Sequence, residues 1–70
     1  MAEKVFKVEG MTCKHCVNTV KRVLCALEGV SHVEVSLEEG KVYVRMEREV
    51  PFHLMKSALE EWGYRMVGEV

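Results

Sequence analysis

Three observations predict an α+β domain in which one four-stranded antiparallel sheet carries two helices on one face. Four short runs alternate apolar with polar residues, two longer runs repeat apolar residues at helical spacing, and a glycine follows each helical run. Seventy residues make one small domain, and a chain of that size buries only roughly 60% of the surface its unfolded form exposes. There is no room for a deep active site. The composition, 49% apolar and 30% charged, is that of an ordinary soluble globular protein. No apolar run approaches the ~20 residues of a membrane span.

The first strand runs from Lys4 to Glu9, with Phe6 and Val8 on one face and Val5, Lys7 and Glu9 on the other. From His15 to Glu28 the residues Val17, Val20, Leu24 and Leu27 fall on one stripe of a helix, and Gly29 supplies its stop. Val30, Val33, Val35 and Leu37 begin a second strand whose Glu34 and Ser36 face outward. Glu38-Glu39-Gly40-Lys41 makes a hairpin turn, and Val42, Val44 and Met46 alternate with Tyr43 and Arg45 in a third strand paired antiparallel to the second. After the charged link Glu47-Arg48-Glu49, Pro51 stands at a favoured first-turn position. Phe52, Met55, Leu59 and Trp62 then repeat the helical stripe, which places Met55 and Trp62 in the core, and Gly63 ends the run. Tyr64 to Val70 forms the last strand. Strand, helix, strand, strand, helix, strand is the ferredoxin-like βαββαβ order.

Function classes narrow on charge and cysteines. Ten basic against eleven acidic side chains give a net charge of -1, far from the basic footprint of a nucleic-acid binder. The N-terminal Met1-Ala2-Glu3-Lys4-Val5-Phe6-Lys7 mixes charged and apolar residues, unlike a secretory signal. The expectation is a cytoplasmic protein. In a reducing compartment three cysteines point to metal binding or redox chemistry, not to structural disulfides.

Gly10-Met11-Thr12-Cys13-Lys14-His15-Cys16 joins the first strand to the first helix and crowds two thiols and an imidazole into one turn. Haem attachment needs histidine directly after the second cysteine, where Val17 stands. Structural zinc needs four ligands. Cys25 lies about 13 Å along the helix from Cys16, while His32 and His53 fall in other elements without zinc-like spacing. A thiol oxidoreductase of the thioredoxin type would draw on a histidine between its cysteines. It also needs a longer chain, and Pro51, the one proline, is placed to start a helix and not to face the thiols. The remaining reading is a two-thiolate site for a soft ion on an exposed loop, with the helix N-terminus favouring the anionic sulfurs.

At these residues the chain resembles the heavy-metal-associated domain family, and within it the bacterial cytosolic copper chaperones. Gly10, Met11, Thr12, Cys13 and Cys16 fit the G-M-x-C-x-x-C loop, Gly29-Val30 fits the glycine-valine after the first helix, and Gly63-Tyr64 fits the glycine-aromatic pair before the last strand. The resemblance covers nearly all of residues 1–70, as a single domain. It implies a non-catalytic carrier that holds Cu(I) between Cys13 and Cys16. Delivery would run by thiol exchange to the N-terminal metal-binding domains of a copper-exporting P-type ATPase. Exchange with a copper-responsive repressor and a copper-bridged homodimer are further implied contacts. Thr12, where zinc- and cadmium-carrying relatives tend to place an acidic residue, favours Cu(I). The resemblance also sets Tyr64 beside the metal loop, where its phenol covers the thiolates or donates to them.

The other residues have less specific readings. His15 is either a solvated first-turn side chain or a group that tunes the thiolates or bridges copper between protomers. Met11 is a soft ligand by chemistry, but one residue past the strand it reads as a plug anchoring the loop. Lys14, Lys21 and Arg22 form a solvated face or a docking patch for an acidic partner. Cys25 falls off the apolar stripe and is expected at the boundary, neither core nor ligand.

Overall fold

The computed structural model describes residues 2–70. Its elements are β1 (Ala2–Glu9), α1 (Lys14–Cys25), β2 (Val30–Ser36), β3 (Lys41–Met46), α2 (Phe52–Glu60) and β4 (Arg65–Glu69). The strands form one antiparallel sheet in the order β2-β3-β1-β4. α1 packs on β2, α2 on β4, and the helices on each other, so both lie on one face as the periodicities predict. Among the described residues no helix is long and apolar enough to cross a membrane.

Alternation decides which side of each strand is dry. Phe6 and Val8 of β1, Val33 of β2, Val42, Val44 and Met46 of β3, and Met66 of β4 are buried. They meet Val20 and Leu24 of α1 and Met55 and Leu59 of α2 in one core without a buried polar side chain among the described residues. Each such side chain contributes about 1.5–3 kcal/mol. A 70-residue domain is stable by only about 3.5–10 kcal/mol in total, so one core truncation removes a large share of that margin.

The structure departs from the sequence expectations in places with identifiable causes. Val30 pairs with Met46 but His32 pairs with Arg45, leaving Ser31 as the extra residue of a bulge. That bulge lets Val30 and Val33, three apart, point the same way. α1 stops at Cys25, and Leu27 extends its stripe from a turn in which its N–H donates to the Leu24 carbonyl at 3.1 Å. Pro51 caps α2 from outside, with φ −59 and ψ 140, instead of standing within the first turn. β4 begins one residue after Tyr64, which is used in capping α2.

The clearest correction is Trp62, expected in the core and found 61% exposed. After Leu59 the helix closes in a Schellman motif. The Tyr64 N–H donates to the Leu59 carbonyl and the Gly63 N–H to the Glu60 carbonyl, with Gly63 at φ +84. Reversing the chain there breaks the helical period, so Trp62 turns outward and Tyr64 turns in. Val50, in a link that reads as charged, is buried and stands against Gly29.

Candidate metal centre

The centre is built where the end of β1 meets the start of α1. Gly10 has φ +99, a left-handed turn that a side chain would strain. A Cβ there would lie 3.4 Å from the Gly63 carbonyl oxygen and 3.6 Å from Tyr64 Cδ1. Two glycine-containing motifs, far apart in sequence, thus lie against each other, and their contact fixes Tyr64 beside the loop. Met11 is half-buried and packed on the core, which anchors the loop from below. Thr12 and Cys13 stay exposed.

Cys13 is the N-cap of α1, in extended conformation, and its side chain makes no capping hydrogen bond. The first N–H groups of the helix therefore keep no side-chain acceptor, and no acidic residue occupies the first turn. Cys16, one turn on, is half-buried, and its Sγ lies 3.6 Å from Cys13 Sγ and 3.8 Å from Thr12 Oγ1. A sulfur pair at that separation is well beyond the ~2.05 Å of a disulfide. It is close enough for both to touch one ion.

The surroundings stabilise the anion. The Cys16 thiol is lowered from 9.0 to about 6, first by the Thr12 backbone N–H, then by the Tyr64 hydroxyl, the Thr12 hydroxyl and the Cys13 thiol, against opposition from burial. Tyr64 shows the reciprocal effect: the neighbouring Cys16 sulfur raises the pKa of its phenol, while Thr19 acts in the lowering direction. Thr19 is a contributor that the sequence reading missed. Its hydroxyl donates to the His15 carbonyl at 3.1 Å, four residues back, and this i to i−4 back-bonding habit of threonine in helices was the available signal.

The remaining candidates lie apart. His15 is exposed and lines the groove between α1 and α2 with Arg22 and Trp62. Among the described residues no group of three or more histidine, cysteine or acidic side chains could hold a metal. Cys25 is exposed at the far end of α1, as its position off the stripe predicts. Lys14, Lys21 and Arg22 are exposed. Lys21 helps His32 hold the Glu34 carboxyl below its usual value.

Comparison with known proteins agrees with this architecture. The heavy-metal-associated domain family matches residues 5–65. The chain is similar to the copper chaperone CopZ of Staphylococcus epidermidis, 49% identical over 65 residues that span 91% of this chain and 96% of that protein. It superposes on a solved CopZ metallochaperone with TM-score 0.86 and 37% identity, covering 94% of this chain and 100% of the other. It also superposes on the Cu(I)-loaded N-terminal domain of a potential copper-translocating P-type ATPase from Bacillus subtilis, with TM-score 0.82 and 30% identity over 97% of this chain and 89% of that one. The chain belongs to the heavy-metal-associated domain family, and its copper-chaperone relatives are metal-trafficking proteins that do not catalyse.

Proposed function

We propose that this protein is a cytoplasmic copper chaperone, a single heavy-metal-associated domain that binds Cu(I) between Cys13 and Cys16. The observation that carries the reading is the sulfur pair, 3.6 Å apart at an exposed helix N-terminus, without a third metal-ligating side chain among the described residues. Thiolates select soft ions, and Cu(I) accepts a low coordination number. A collinear arrangement would set the two sulfurs further apart than their present 3.6 Å, so loading would open the pair. Cys13, exposed at the N-cap, supplies that movement while Thr12 and Tyr64 hold Cys16.

The open coordination makes the ion transferable. An incoming thiolate from a partner adds to Cu(I), giving a three-sulfur intermediate, and the bond to Cys13 or Cys16 then breaks. Copper stays Cu(I) throughout, and each released sulfur leaves as thiolate. Similarity to the ATPase N-terminal domain supports a like-folded domain of a copper-exporting P-type ATPase as recipient. A copper-responsive repressor and a copper-bridged homodimer are further contacts that an open site allows. Met11 anchors the loop from the core side, and His15 stands on its solvent flank.

An anaerobic Cu(I) titration against a competing chelator tests the reading. One equivalent should bind tightly and the affinity should collapse in Cys13→Ser. Weak binding by the wild type, or affinity that survives the substitution, refutes it.

A further inference from the structure

Tyr64 is fixed at its backbone and at the near edge of its ring. Its N–H donates to the Leu59 carbonyl at 3.0 Å, and its Cδ1 stands 3.6 Å from where a Cβ on Gly10 would lie. Neither contact reaches the hydroxyl. The terminal torsion of a tyrosine has a broad minimum, so the far end of the ring is settled by whatever bonds it there.

That far end meets α1. Thr19 follows Cys16 by three residues, which sets the two on one face of the helix. Both are half-buried, as is Tyr64, and the Tyr64 hydroxyl is hydrogen-bonded to both. Thr19 is itself a fixed point. A threonine in a helix divides between two rotamers, and the bond that its hydroxyl donates to the His15 carbonyl at 3.1 Å selects one of them. Such back-bonding gives a helix no stability of its own. Here it aims an oxygen at the phenol.

We propose that Thr19 is a positioning residue of the metal site, a hydroxyl pinned to the His15 carbonyl that holds the Tyr64 phenol beside Cys16. The inference rests on Cys13 and Cys16 being the Cu(I) ligands and adds the group that keeps their cover in place. A bound ion draws on the lone pairs of the Cys16 sulfur, which weakens that sulfur as a partner for the phenol. Thr19 is not a ligand and is unaffected. It therefore keeps the phenol over the sulfur in the loaded form, and loss of the ion to solvent is slowed.

Thr19→Val and Tyr64→Phe, made singly and together, test this. In the metal-free protein under reductant, the nuclear Overhauser contact between the Tyr64 ring and the Cys16 β-protons should weaken in Thr19→Val and persist in Thr19→Ser. In the loaded protein, Thr19→Val should speed Cu(I) loss to a chelator about fivefold, while Thr19→Ser should stay within about twofold of the wild type. On the Tyr64→Phe background the same valine change should alter the rate by less than about 1.5-fold, because no phenol remains to be held. A threonine acting only through the helix would give equal effects on both backgrounds. That equality, an unchanged contact in Thr19→Val, or failure of serine to preserve it overturns the proposal. Failure of the wild type to bind Cu(I) would refute the carrier reading, and the metal-free contact separates that failure from a misassigned Thr19.

Discussion

The β1–α1 and β3–α2 connections occupy equivalent places in the two halves of the fold, yet only one carries a pair of thiols at the surface. Both helices start without a side-chain capping bond and without an acidic residue in the first turn. The second start is sealed with apolar groups: Val50 is buried, Pro51 caps the helix, and the Phe52 ring lies 5.6 Å from that of Phe6. The first is sealed only from below, by Met11, and leaves Cys13 and Cys16 at the surface. The same backbone unit thus serves packing in one half and, in the proposed carrier, ligand exchange in the other, through the side chains placed at the helix terminus.

The contrast can be broken most strongly at the sulfurs. Cys16→Ser should lower Cu(I) affinity at least about a thousandfold, or about 4 kcal/mol, in an anaerobic chelator competition. Thermal unfolding of the metal-free protein at about pH 5, where the Cys16 thiol is protonated, should shift by less than about 0.5 kcal/mol, because the position is not core. On the packing side the pattern reverses. Leu59→Ala should cost about 2–5 kcal/mol in urea unfolding and leave the affinity of the folded fraction unchanged.

Gly10→Ala probes the seam between the two motifs. A side chain at φ +99 should cost about 1–3 kcal/mol of stability and, by pressing on Gly63 and Tyr64, loosen the phenol from Cys16. The subtlest effect is on protons. The Cys16 pKa is depressed in the fold, to about 6 from 9.0. Its contribution to stability is therefore present in full above pH 9 and is lost as pH falls through about 6. Thiolate absorbance should titrate near pH 6, and Thr12→Ala and Tyr64→Phe should each move the midpoint upward. A midpoint that both variants leave in place would sink the assignment of these groups.

Legibility in the sequence followed the locality of each signal. Strands β1 and β3 were readable because alternation is a nearest-neighbour property, and the Cys13–Cys16 pair because its spacing is set within one helical turn. Helical spacing misplaced Trp62, because the backbone enters the Schellman motif there, whereas Leu27 packs on the core as its spacing predicts although the helix has already ended. Val50 was hidden by the charged residues before it, since its burial depends on the approach of Gly29 across the fold. Tyr64 was placed beside the thiols by family resemblance alone. Its position rests on the contact of Gly10 with Gly63, which no local pattern encodes.

X-ray absorption on the protein loaded with one equivalent of Cu(I) tests the central claim most directly. Two short copper–sulfur contacts and no light-atom neighbour in the first shell are predicted. A third sulfur, or a nitrogen from His15, would contradict a two-thiolate cradle.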